Sequence, residues 1–160
     1  HADGNLYTGR QVILTPTAKT NVAQLNQAEA VWSALGCQVK VMPPEAHDAA
    51  FAAVSHLPHL LAFALMNSIT SQEKGEAFLD LAGTGFRDFT RIAASDPKMW
   101  HDIFLANRIQ LTNQIDQFKQ TLNVLSSLIA NDDSASLTSA LAKASYERSQ
   151  WKLADKNQEN

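Results

Sequence analysis

A single cysteine, Cys37, stands among the 160 residues. No internal disulfide framework can hold this chain, and a lone thiol fits a reducing, cytoplasmic setting. Runs of positive charge are missing too. Thirteen Lys and Arg against sixteen Asp and Glu give a formal net charge of −3, and the scattered cations leave no footprint for nucleic acid and no patch for a membrane surface. Uninterrupted apolar runs are short: the longest, around Leu60–Met66, falls far below the roughly 20 residues that span a bilayer. No signal-peptide pattern is visible. The chain opens on His1-Ala2-Asp3-Gly4 rather than on methionine, as expected of a processed or shortened chain. No G-x-G-x-x-G follows a strand pattern, so no dinucleotide site is expected within these residues. What is present is ordinary globular composition, 45% apolar and 18% charged, in a chain long enough to bury one core.

Two hydrophobic periods divide the chain. Gln11–Leu14 (QVIL) is a short β-rich run ended by Thr15-Pro16. Asn21 can cap a helix along which Val22, Leu25, Trp32 and Leu35 recur, and Gly36 supplies its stop. Gln38–Met42 (QVKVM) alternates before Pro43-Pro44. Two strands joined by such a helix form a right-handed parallel crossover. A lone unit of this kind lacks the neighbours and two-sided cover that parallel strands need. Residues 1–43 therefore read as the last piece of a larger α/β domain, the alternative being a small appendage on a helical one.

From Pro44 the pattern is helical throughout, so the fold class is mainly α: residues 44–160 form a helical domain behind a β-α-β remnant. A helix is predicted over His47–Ile69, disturbed at Pro58, which cannot donate to the Val54 carbonyl. Further helices are predicted over about Lys74–Ala82 and Gly85–Ala94. Ser95-Asp96-Pro97 is a helix start, opening a long helix over about Lys98–Ala130. In it Leu111, Ile115, Phe118, Leu122, Leu125 and Ile129 make an a/d seam that needs a partner helix. That partner is either a hairpin within the chain or a second subunit. Asn131-Asp132-Asp133-Ser134 breaks the helix, and a last one carries Leu137, Leu141 and Ala144 to about Lys152. The polar tail Asp155–Asn160 is expected to fray.

The chemistry concentrates in two stretches. Ala46–His59 (AHDAAFAAVSHLPH) holds three of the five histidines. His47-Asp48 is the dipeptide of metal-dependent phosphohydrolases, but at about 100° per residue His47 lies roughly 120° from His59. The histidines then do not converge, and His1 and His101 add no ligand context, so no metal site is expected. An imidazole among alanines is often a hydrogen-bonded core residue. His56 and His59, however, flank the Pro58 disturbance, where freed polar groups can line a cavity. The second stretch is Gly85–Trp100 (GFRDFTRIAASDPKMW). Asp88 and Arg91 are three apart, either a routine helical ion pair or an arginine oriented to grip a carboxylate with its fork. Arg87 and Arg91 are four apart, a repulsive spacing that suits an anionic partner. Ser95 can cap its helix or meet a ligand, and Trp100 can pack or recognise.

Leu6–Thr17 (LYTGRQVILTPT), Ala30–Leu65 and Gly85–Arg108 (GFRDFTRIAASDPKMWHDIFLANR), in that order, resemble the C-terminal part of bacterial prephenate dehydrogenases over about Leu6–Leu128. The resemblance implies a dinucleotide-binding α/β domain followed by a helical domain that forms a homodimer through the seam. It implies NAD(P)-dependent oxidative decarboxylation of prephenate to 4-hydroxyphenylpyruvate, on the route to tyrosine. The arginine of the family's G-F-x-D-x-T-R-I motif, a substrate-binding residue, falls on Arg91 and the motif's aspartate on Asp88. The histidines of S-H-x-P-H fall on His56 and His59, with His59 favoured for the pocket since it shares a stripe with Asp48. Ser95 and Trp100 fall on S-D-P-x-M-W positions, near the substrate and the subunit contact. The catalytic histidine and the NAD or NADP site belong to the nucleotide domain upstream of Leu6, so this chain alone is expected to be inactive. Tyrosine is a feedback inhibitor common in the family. Preference for arogenate, or acceptance of both cyclohexadienyl substrates, is a variant of the same reading. A helical assembly module that kept the fold and lost the enzyme is the alternative from another class.

Overall fold

A computed structural model describes residues 4–152; His1 and the tail Asp155–Asn160 lie outside them. The chain divides into two compact units, His1–His47 with Thr121–Asn160, and Asp48–Gln120.

In the first unit, β1 (Gln11–Leu14) and β2 (Gln38–Val41) pair in parallel, Gln11 opposite Gln38 through Leu14 opposite Val41, with α1 (Val22–Ala34) between them in sequence. The helix starts where its cap predicts: the Asn21 side chain accepts from the Ala23 N–H at 2.8 Å. It stops at Gly36, whose φ of +80° suits glycine. A Cβ there would also press on the Thr8 backbone at 3.3 Å. That close approach brings Tyr7 edge-on to Trp32, with ring centroids 5.7 Å apart, and lets the Cys37 thiol donate to the Tyr7 carbonyl. Val22, Val31 and Leu35 of this crossover and Val41 of β2 are exposed, a two-stranded sheet without the cover that parallel strands take.

The last helix of this unit, α8 (Ser134–Gln150), begins at Asp133, whose carboxylate accepts from the Ser136 N–H at 3.1 Å. The backbone and side-chain hydrogen bonds of Ser136 hold the Asp133 carboxyl below its usual value. This cap contributes above the unfolded carboxylate's titration and is lost as pH falls through the lowered folded value. Asp132, just before it, turns the chain with φ of 53°.

The helical stretch Pro44–Thr70, most of which belongs to the second unit, is continuous but not uniform. α2 (Pro44–Phe51) passes into a π-helical turn, Ala52–His56, and then into α3 (Leu57–Thr70). The Leu57 N–H reaches back to the Ala52 carbonyl, one residue farther than in an α-helix. The disturbance expected at Pro58 is therefore a π-turn in the preceding residues. A proline with no N–H has no bond to lose when the ladder widens just ahead of it.

The expectation that no segment reaches bilayer length is corrected here. Pro44–Thr70 spans 27 residues, and its most apolar window has a mean hydropathy of 1.6, long and apolar enough to cross a membrane by length and composition. Leucines, phenylalanines and alanines carry that hydropathy, and His56, Pro58 and His59 interrupt them so that no long unbroken run forms.

Around α3 pack α4 (Gly75–Asp80), α5 (Thr84–Thr90) and the 3₁₀ turn Arg91–Ala94. Ala52 and Ala62 are wholly buried, and their small side chains permit close approach. Gly75 begins α4 directly over the end of α3, where a Cβ would collide with the Ile69 carbonyl oxygen and meet the Thr70 Cα at 3.1 Å. Backbone atoms cannot swing aside, so Gly75→Ala should destabilise the chain by about 1–3 kcal/mol. An unchanged urea midpoint would show that the loop absorbs the methyl.

The helix predicted over Lys98–Ala130 is two helices, α6 (Pro97–Ala106) and α7 (Arg108–Ala130), parted at Asn107 with φ −107° and ψ 29°. Its start is also corrected. Asp96, not Ser95, is the cap and accepts from the Lys98 and Met99 N–H groups, while the Ser95 hydroxyl donates to the Ile92 carbonyl at 2.7 Å. Along α7 the seam runs from buried to bare. Leu111 is buried, Ile115 and Leu125 are half-buried, and Phe118, Leu122 and Ile129 are exposed, the last two at 53% and 64%. Among the described residues nothing covers that end of the seam.

Candidate functional site

The π-turn decides where the histidines go. A turn widened by one residue advances the helix face, so the uniform arithmetic that set Asp48 and His59 on one stripe fails across Ala52–His56. His56 and His59 instead come to the same indole. Trp100, on the first turns of α6 and only 6% exposed, stacks on His59 with centroids 3.7 Å apart and planes 21° from parallel. It meets His56 edge-on at 6.3 Å and Phe104 at 5.5 Å. Pro97 at the start of α6 and the Asp96 cap fix the helix that carries this ring.

Hydrogen bonds orient both imidazoles. His59 Nδ1 lies 2.9 Å from the Ser55 carbonyl; a carbonyl only accepts, so Nδ1 carries the hydrogen. His56 Nδ1 lies 3.2 Å from the Asn107 amide nitrogen, which also donates to the Asp48 carbonyl at 2.8 Å. Asn107, at 9% exposure, is the buried polar residue of the core. The Trp100 Nε1–H is buried and has no partner among the described residues, a donor that buried indoles ordinarily satisfy.

Asp88 and Arg91 do not pair. α5 ends at Thr90 and Arg91 opens the 3₁₀ turn, so the three-residue spacing of one α-helix does not span them. Asp88 accepts instead from Arg87 Nε at 3.1 Å, both side chains well exposed, a surface pair of small worth. Arg91 is exposed, and among the described residues its guanidinium has neither ion pair nor hydrogen bond. Its 3₁₀ turn packs on α3, the helix that carries His59. Ser95 closes the same turn.

The structure thus gathers His56, His59 and Trp100 and sets the Arg91–Ser95 turn against the His59 helix, with Asp88 occupied by Arg87. Sequence reasoning missed Asn107. Its signal was present, because Trp100, Ile103, Asn107 and Leu111 recur at helical spacing and only the amide is polar. Among the described residues no group of three or more His, Cys, Asp or Glu side chains could hold a metal ion.

The family model described as prephenate dehydrogenase, dimerization domain, matches residues 43–143. A crystal structure of prephenate dehydrogenase from A. aeolicus, in complex with hydroxyphenyl propionate and NAD+, is 44% identical with a TM-score of 0.84, covering 91% of this chain and 51% of that one. Synechocystis arogenate dehydrogenase is 29% identical with a TM-score of 0.80, over 91% of this chain and 54% of its own. The cyclohexadienyl dehydrogenase of Zymomonas mobilis is 35% identical over 130 residues, 80% of this chain and 44% of that protein. The chain therefore spans about half the length of such relatives. A matched stretch that contains His56, His59, Arg91, Trp100 and the whole seam places this chain in the prephenate dehydrogenase family, through its dimerization domain.

Proposed function

We propose that this chain is the substrate-binding and dimerising part of a cytoplasmic prephenate dehydrogenase, which converts prephenate to 4-hydroxyphenylpyruvate in tyrosine biosynthesis. Residues 1–43 are then the end of the dinucleotide-binding domain and 44–160 the helical domain. The observation that carries the reading is Arg91: a guanidinium without a partner among the described residues, on a turn packed against the His59 helix. Prephenate carries two carboxylates, and a guanidinium fork grips one bidentately. An assembly module has no use for that arrangement.

NAD or NADP, bound mainly by residues outside this chain, supplies the hydride acceptor. Within the chain, Arg91 holds a carboxylate, and His56 and His59 face the ring system from a wall stiffened by Trp100. Ser95 closes the turn that presents Arg91, and Asp88, held by Arg87, adds to the charge beside it. Aromatisation drives the loss of carbon dioxide once the ring hydroxyl is oxidised. The buried Trp100 Nε1–H supports a further acceptor at this wall. The family histidine that takes the hydroxyl proton has no counterpart here. Measuring KM for prephenate with Arg91 replaced, in the full-length protein, tests the grip.

The exposed seam residues Phe118, Leu122 and Ile129 support a homodimer. Sedimentation of the chain at micromolar concentration should give a dimer, and a monomer that persists there would count against the seam. Pro44–Thr70 is read as a packed helix of this domain rather than a membrane span, because its His56 and His59 are bound to Asn107 and Trp100. Tyrosine is proposed as a feedback ligand of the same pocket. The Zymomonas relative's name favours a second reading, acceptance of arogenate as well as prephenate; comparing kcat/KM for the two substrates decides it.

A further inference from the structure

We propose that Asn107 is a positioning residue for His56: its amide, seated at the break between α6 and α7, fixes the imidazole in the tautomer that carries hydrogen on Nε2.

Donors and acceptors fix the tautomer. The Asp48 carbonyl can only accept, so the side-chain atom 2.8 Å from it is the amide nitrogen of Asn107. That nitrogen has two hydrogens and no lone pair to offer. Its second hydrogen points to the remaining neighbour, His56 Nδ1 at 3.2 Å. A donor facing Nδ1 requires a lone pair on Nδ1, which in a neutral ring puts the hydrogen on Nε2. Burial enforces the assignment, since at 9% exposure no bulk water replaces a mismatched pair.

The backbone at this position makes the arrangement possible. The Asn107 N–H still donates to Ile103 at 3.1 Å and its carbonyl still accepts from Leu111 at 3.0 Å, so the interruption of the helix costs little hydrogen bonding. What it does is tie α6 and α7 through one side chain to α2 and to the π-turn. His59 is held the opposite way, with its Nδ1 hydrogen on Ser55. The two histidines on the same indole are therefore held in opposite tautomers, His56 with its hydrogen on Nε2 and a neutral His59 with its hydrogen on Nδ1. A substrate role for His56 rests on the proposed function, whereas the tautomer itself does not.

Nitrogen-15 NMR of the histidine rings in this chain tests the tautomer. His56 should show an unprotonated Nδ1 and a protonated Nε2. In Asn107→Asp an acceptor-only carboxylate faces the ring, so Nδ1 should gain hydrogen, while the ring-current shift of His59 on Trp100 confirms that the fold persists. A wild-type His56 with hydrogen on Nδ1 overturns the proposal, as does a folded Asn107→Asp chain with an unchanged pattern. If that variant does not fold, the wild-type spectrum alone decides. In the full-length protein Asn107→Asp should also raise KM for prephenate about tenfold. A swapped tautomer without that rise overturns the substrate role of His56 and leaves the tautomer assignment standing.

Discussion

Replacing Arg91 by alanine in the full-length protein raises KM for prephenate about tenfold to a hundredfold and changes kcat little. The magnitude follows from the chemistry of the contact. Hydrogen bonds to charged groups contribute about 1.5–3 kcal/mol, and each 1.4 kcal/mol is a factor of about ten. A grip on a carboxylate remote from the breaking bonds holds ground and transition states alike, so its loss appears in KM. The fold should not suffer, because Arg91 is exposed and no described residue depends on its guanidinium. Arg91→Lys should recover part of the affinity, keeping the charge and losing the fork. Unchanged KM in a folded Arg91→Ala enzyme would remove the reason for placing substrate beside this turn.

Trp100→Ala should cost about 3–5 kcal/mol of stability, the range for truncating a buried aromatic. That is a large share of the 5–15 kcal/mol that keeps a domain folded. The indole is the meeting point of α3 and α6, touching His56, His59 and Phe104, and an alanine there leaves three rings without a common partner. Trp100→Phe separates packing from recognition. It keeps an aromatic face against His59 and removes an N–H that has no partner in the described chain, so stability should fall far less. If that N–H serves substrate, the phenylalanine variant shows its defect in KM. Denaturant unfolding reads the first effect, and a loss below about 1 kcal/mol for Trp100→Ala would mean that the ring is not the keystone of this packing.

Much of this was legible in the residues, for local reasons. Asn21 caps α1 and Gly36 ends it because capping and positive φ are decided within a turn. The parallel pairing of QVIL with QVKV follows from the intervening helix. The seam on α7 was visible as a heptad, although its graded exposure depends on what packs beside it. The parts that stayed hidden are those set by long-range partners. Nothing near Ala52 announces a π-turn, since Pro58 merely permits one. The break at Asn107 coincides with a side-chain bond to Asp48, 59 residues away. Asp96 took the cap that Ser95 could equally have filled, and Arg87 took the aspartate expected for Arg91, each a choice between neighbours that sequence spacing leaves nearly equal. The membrane-length stretch is hidden because His56, Pro58 and His59 interrupt its apolar residues.

The central claim is a division of labour: this chain holds prephenate, and residues beyond it carry out the oxidation. The direct test is formation of reduced nicotinamide cofactor and 4-hydroxyphenylpyruvate from prephenate, measured side by side for the full-length protein and for these 160 residues. The account predicts stoichiometric turnover with the full-length protein and none with the chain alone. Hydride transfer by the chain alone, or no turnover by the full-length protein with either NAD or NADP, would contradict it.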